Sequence, residues 1–232
     1  MEIVRYGVID STYNEAGRLA PGFPDGDCLF LADCQTAGRG QGDHVFESPA
    51  GNGIYATLLV KRDFGPADPV FSSFVTALAA VCITRAVSDI TGFGDRLSVK
   101  PVNDLMLDGR KYGGILCASS VTDGRTRAVR IGFGVNLGDA PLPDIAVSLS
   151  LGKAGTAEIR QLSDKLAIAS AEMIAGVLKR KAADCESQLA SADGQAAEIR
   201  STSGCALPSD DEAAAEYVRL CERYSEQINH IK

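Results

Sequence analysis

The sequence predicts an α+β domain, a mixed or antiparallel sheet flanked by helices. Three observations predict it. Apolar, β-branched runs separated by glycine-rich turns recur up to Leu137. One stretch inside that region, Phe71, Phe74, Val75, Leu78, Cys82 and Ala86, is apolar at helical spacing instead. Beyond Leu149 the strand signal ends and the pattern is helical, which places the helices on one side of the sheet.

Ile3 to Ile9 reads as a strand, and Asp10-Ser11-Thr12 as the N-cap of a short helix ending at Leu19. Pro21 to Gly26 is a loop and Cys28 to Ala32 a short buried strand. Gln35 to Gly53 is polar, glycine-rich and too long for a simple turn. Having few large apolar anchors, it predicts a mobile lid. Ile54 to Val60 is a strand, and the long helix runs from Pro69 to about Ile90. Three strands then form a meander. Leu97 to Leu107 is broken by Pro101, Gly114 to Val121 follows Asp108-Gly109, and Arg127 to Leu137 follows Asp123-Gly124. Ile159, Leu162, Leu166, Met173, Val177 and Leu178 mark another helix. Ser191 to Pro208 reads as a linker, and Ser209 to Glu212 as a capping box opening a last helix. The expected division is a domain over 1–190, with 191–232 a linker and a C-terminal helix packed on it.

With 45% apolar residues the 232-residue chain can build one large core. Its formal charge of -7 argues against a nucleic-acid partner, which needs a basic patch. The N-terminus lacks a signal-peptide pattern, and no apolar run approaches the roughly 18 residues that span a bilayer. No membrane partner is therefore expected. The seven cysteines are scattered without a C-x-x-C pair, which speaks against zinc or any other metal ligand set. They read as reduced thiols of a cytoplasmic protein.

The chemistry-bearing residues cluster in three elements. Lys100 lies between apolar residues beside Asn103-Asp104 and upstream of the Gly113-Gly114 step. A lone strand lysine ordinarily faces solvent. In this company it reads as a point charge for a carboxylate or α-phosphate, with the glycines admitting ligand to the backbone. Gly132-x-Gly134-x-Asn136 either marks close strand packing or clears space for a flat ring read by the Asn136 amide. Gln35 to Gly42, with Arg39 among glycines, is either a surface loop or a wrap around a charged ligand, and lacks P-loop spacing. His44 and His230 have no catalytic partner at an obvious spacing, and Cys117 reads as a strand cysteine.

Together, in this order, these elements resemble the biotin protein ligase family, within the biotin/lipoate ligase superfamily, over roughly Ile9 to Leu149. Asp10-Ser11-Thr12-Tyr13-Asn14 stands for the family's Asp-Ser-Thr-Asn. Gln35, Ala37, Gly38, Arg39 and Gly40 match its glycine-arginine loop, whereas Gln41, Gly42, Asp43, His44, Val45 and Phe46 do not keep the further arginines or the tryptophan. Ser48-Pro49 and Gly51 to Tyr55 match. Val99-Lys100-Pro101-Val102-Asn103-Asp104-Leu105 stands for Val-Lys-Trp-Pro-Asn-Asp-Leu. Lys111 to Leu116 and Gly132 to Asn136 match closely.

The resemblance implies a class II synthetase-like catalytic domain and a two-step enzyme. ATP with Mg2+ activates biotin to biotinyl-AMP, and a lysine of an acceptor protein takes the acyl group. It implies Lys100 and Arg39 as catalytic residues. Ser11, Thr12, Gln35, Gly38, Gly40 and Gly114 would contact the acyl acid. Asn103, Asp104, Phe46 and Asn136 would contact the nucleotide. No helix-turn-helix precedes Ile3, so a repressor role is not expected. Helices stand where the family has a small β-rich C-terminal domain, and a homodimer is compatible with the family. Two readings stand beside this one: a lipoyl or octanoyl transferase, mildly disfavoured by Gln35, and a non-catalytic binding protein on a degenerate ligase fold.

Overall fold

The computed structural model describes residues 1–100, 103–151 and 157–195, with side chains through Cys185. Seven strands and three helices follow in the order β1 (Glu2–Ile9), α1 (Thr12–Leu19), β2 (Gly26–Gln35), β3 (Gly53–Lys61), α2 (Phe71–Thr91), β4 (Leu97–Lys100), β5 (Asp104–Leu107), β6 (Arg110–Thr122), β7 (Arg125–Asn136) and α3 (Ala157–Gln195). They make one mixed sheet in the order β1-β2-β3-β7-β6-β5-β4. Among the described strands only the β1–β2 pair is parallel, with α1 crossing between the two.

The turn chemistry read from the sequence is what closes the hairpins. Asp108 and Gly109 have φ of 49° and 78°, Asp123 and Gly124 of 52° and 68°. Two consecutive left-handed residues are what a two-residue hairpin with right-handed strand twist requires. Ser11 caps α1, its hydroxyl accepting from the Tyr13 and Asn14 amides. Gly92, at φ 72°, ends α2.

Three expectations change. Leu97 to Leu107 is two strands, not one. Leu97 pairs with Leu107 and Lys100 with Asp104, so the two halves run antiparallel. The helices are not all on one side. α2 and α3 cover one face through Val75, Ala79, Ile83, Leu166, Ala171, Ile174 and Leu178, while α1 packs its Ala16 on the other against Cys28, Phe30, Leu59 and Ala128. Finally, α3 continues past residue 190 to Gln195, into the expected linker. The last expected helix lies outside the described residues.

α2 is long and apolar enough to cross a membrane, although the sequence reading found no such run. Two thirds of its most apolar window is buried. Its small residues Ala77, Ala79, Ala80 and Ala86 fit it between the sheet and α3, so its apolar character is spent on the core.

Candidate active site

Strand alternation decides which side chains meet on the α1 face. Val129, Ile131, Phe133 and Val135 of β7 point into the α2/α3 core. Gly132 and Gly134, between them, fall on the opposite face. A cavity of about 280 Å3 opens there. Its walls come from the start of α1, the end of β2, the middle of β3, the loop after β2, the start of β5 and the first half of β6.

One side of the cavity is a closed polar network. Gln35 Oε1 accepts from the Thr12 amide at 2.9 Å and from Thr12 Oγ1 at 3.2 Å. Gln35 Nε2 donates to Ser48 Oγ at 2.8 Å, and Ser48 Oγ donates to the Phe46 carbonyl at 2.9 Å. Thr12 Oγ1 lies 2.9 Å from Thr57 Oγ1, whose residue is fully buried. Ser11, Thr12 and Gln35, predicted together, do meet here. Thr57 was not singled out, because a threonine in an apolar strand gives no signal in sequence.

The other side carries charge. Lys111 Nζ and Asp104 Oδ1 form a 2.6 Å ion pair, and both residues line the cavity. Gly114, paired with Asp104 on one side and Gly134 on the other, leaves room there. A Cβ on Gly114 would meet the end of Lys111, with Cε at 3.4 Å. Asn103 is held by its own amide, Nδ2 donating to the Ile115 carbonyl at 2.8 Å. Lys100, the predicted catalytic lysine, does not line the cavity. Its side chain is 67% exposed and stands 3.8 Å from Asp104, while Lys111 is 34% exposed. The reason is register. Lys100 ends an outer strand beyond β5, whereas Lys111 lies on β6 next to the glycine step. Lys111 was quoted in the sequence motif, but nothing in spacing told which lysine would face inward.

The glycines of β7 clear space for flat rings, as one reading of the motif holds, but the rings belong to this chain. A Cβ on Gly132 would come 2.8 Å from Tyr13 Cδ2, and one on Gly134 2.6 Å from the Phe46 ring. Phe46 also meets Tyr55 edge-on, ring centres 6.3 Å apart. It is the apolar anchor of the loop after β2. That loop folds back on itself, with the Gly40 amide donating to the His44 carbonyl at 2.8 Å and the Phe46 amide to the Gly38 carbonyl at 3.0 Å. Gly38 is buried against the Phe46 carbonyl and Ser48, where no side chain fits. Arg39, Gly40, Gln41, His44, Val45 and Phe46 line the cavity from this hairpin, with Arg39 exposed. Asn136 does not join them. It is buried at the end of β7, its Nδ2 3.4 Å from the Val147 carbonyl, tying down the segment that follows the sheet.

The cavity thus has neutral hydrogen-bonding groups on one side and a cation on the other, on a mixed sheet flanked by helices. The profile of the biotin/lipoate A/B protein ligase family matches residues 8–136, over half of the chain. The protein belongs to that family. It is 34% identical over 155 residues to the bifunctional ligase/repressor BirA of Bacillus subtilis, covering 64% of this chain and 46% of that one. It is 41% identical over 132 residues to the biotin–[acetyl-CoA-carboxylase] ligase of Paracoccus denitrificans, covering 57% and 53%. The chain thus spans about half the length of the curated relatives it matches. Among solved structures, the Aquifex aeolicus biotin protein ligase in complex with biotin and ATP superposes with a TM-score of 0.54 at 22% identity, over 75% of this chain and 70% of that one. That likeness concerns the fold.

Proposed function

We propose that the chain is the catalytic domain of a biotin protein ligase, activating biotin with ATP and passing it to an acceptor lysine. The observation that carries this is the division of the cavity. Three strand spacings of about 4.8 Å separate β3 from β5, so a ligand spanning both sides is elongated. Its neutral end meets Thr12, Gln35 and Thr57. Its anionic middle meets Lys111. A cyclic urea joined by an alkyl chain to a carboxylate has that layout. The names of the relatives, and of the solved structure holding biotin and ATP, point the same way.

In the first step a carboxylate oxygen of biotin attacks the α-phosphorus of ATP. The bond to the bridging oxygen breaks, and pyrophosphate leaves with the electron pair. Lys111 is placed to hold the carboxylate and α-phosphate together and to neutralise the charge that builds on the equatorial oxygens. Asp104 fixes the ammonium in position. Gly114 lets the acyl phosphate lie against the strand. In the second step the neutral amine of an acceptor lysine attacks the acyl carbonyl, AMP departs, and an amide forms. Arg39, exposed at the mouth, is placed to cover the adenylate. Mg2+ fits as a companion of the nucleotide. Asp104 is the one carboxylate lining the cavity among the described residues, and a magnesium ion commonly takes one or two carboxylates beside substrate phosphates. That ion would neutralise phosphate charge.

ATP–pyrophosphate exchange tests the reading. Exchange is expected with biotin and not with lipoate or octanoate. Exchange that responds equally to all three acids, or to none, refutes it.

A further inference from the structure

A larger cavity, about 520 Å3, lies on the same face of the sheet beyond α1. Its lining includes four cations, Lys61, Arg62, Arg127 and Arg130, against two carboxylates, Asp25 and Asp63. The proposed ligase reaction uses none of them.

The cations are unevenly matched. Arg62 pairs with Asp27 at 2.6 Å and Arg127 with Asp63 at 2.7 Å, where Asp63 also takes Arg125 at 2.9 Å. Among the described residues Lys61 reaches the carbonyls of Phe23 and Pro21. Arg130 has no carboxylate partner among the described residues. Its guanidinium stacks on the Tyr13 ring, 4.1 Å from the centroid, and passes α1 at Gly17, where a Cβ would collide with it. The buried Nε of Arg130 has no hydrogen-bond partner among the described residues, and neither has the buried Nε of Arg62. Buried donors almost always have acceptors, and leaving one unmade is costly. Here two orphaned guanidinium donors belong to residues of one cavity, in a chain whose net charge is -7. Ser120 and Thr122 add hydroxyls to the same wall.

We infer that this cavity is a second binding site, for a small phosphate-bearing ligand held by Arg130 and Lys61. Phosphate supplies several strong acceptors and a double negative charge, which suits a guanidinium fork, an ammonium and two hydroxyls. The site stands on its own geometry and does not depend on the ligase reading. Because Arg130 stacks on Tyr13, and Tyr13 lines the first cavity, occupancy here reaches the first site through one aromatic ring.

Calorimetric titration of the whole chain with inorganic phosphate, with AMP and with succinate tests it. Phosphate is expected to bind and succinate to bind more weakly. Because AMP is also a product of the proposed ligase reaction, only AMP binding that Arg130→Gln weakens counts for this cavity. Arg130→Gln should weaken phosphate about ten- to hundredfold, the range for a lost charge-assisted bond, and Arg130→Lys should recover part of it. Lys61→Gln should weaken it less, and Arg96→Gln, a surface control paired with Asp108, not at all. Melting temperatures show whether each variant folds. The inference is overturned if millimolar phosphate does not bind. It is overturned equally if Lys111→Ala removes binding while Arg130→Gln keeps it, which would put the anion in the first cavity.

Discussion

The two sides of the first cavity are built on opposite terms. On the Gln35 side each polar group already has a partner in the protein: Thr12, Gln35, Ser48 and Thr57 form one connected set, and Ser11 caps α1 while doing so. On the Lys111 side an ion pair stands beside bare glycine, with an exposed hairpin above it. A satisfied network holds its shape before ligand arrives, which suits recognition of a neutral group. A cation beside open backbone suits charge that appears only during reaction. Shape and chemistry are therefore separable in this protein by mutation.

The largest expected effect is on the charged side. Lys111→Ala should lower ATP–pyrophosphate exchange on the order of 10²–10³-fold with the melting temperature little changed. Lys100→Ala serves as its partner experiment. An exposed lysine 3.8 Å from Asp104 should change exchange by a few-fold at most. The reverse ranking would mean that Lys100 is the catalytic lysine and the comparison is drawn between the wrong groups.

Gln35→Ala comes next. It strands the Thr12 amide donor and removes the bond that Ser48 Oγ accepts, so it should raise the biotin Kd and also cost about 1–3 kcal/mol of stability, the usual penalty for unpaired buried groups. Calorimetry and chemical denaturation read the two effects separately. On the Lys111 side the two do not travel together. Gly114→Ala places a methyl group against a flexible lysine end and should weaken ligand binding while leaving stability intact. Gly134→Ala drives a methyl group into the Phe46 ring and should lower both. If Gly114→Ala melts as early as Gly134→Ala, the open notch is a packing feature instead.

Smaller effects belong to the hairpin and the helix cap. Restoring the family residues with Gln41→Arg and Asp43→Gly should slow release of the adenylate from the enzyme, measured by its dissociation after rapid dilution. Unchanged dissociation would leave the exposed hairpin without a retaining role. The Asp10 carboxyl, hydrogen-bonded by Arg18, is held well below its ordinary 3.8, and the Asn14 side chain and the Ser11 amide assist. A depressed carboxyl contributes stability above its unfolded pKa and loses it as pH falls through the folded one. Melting temperature should therefore decline below about pH 4, and Asp10→Asn should flatten that decline slightly, because the pair is partly exposed to solvent.

Much of the fold can be read locally. The left-handed turns at Asp108-Gly109 and Asp123-Gly124 and the Ser11 cap rest on single-residue conformational preferences. The hairpin between Lys100 and Asp104 was hidden because Pro101 explains a break in one strand as well as a reversal between two. The place of α1 was hidden too. Its small buried stripe does not say which face of the sheet it covers.

For the site, the order of its polar and glycine-rich motifs is written in the chain from Ser11 to Asn136, and that order determined the family and the region where chemistry occurs. The sequence also marked Gly132 and Gly134 as positions of close strand packing or of space for a flat ring. Only the tertiary structure decided that Lys111 rather than Lys100 faces the cavity, that Tyr13 and Phe46 fill the space over those glycines, and that Asn136 Nδ2 meets the Val147 carbonyl. The physical reason is that strand register and sheet order set which way a side chain points. A one-residue change of register moves every side chain of a strand to the other face, and no local signal in the sequence records that choice.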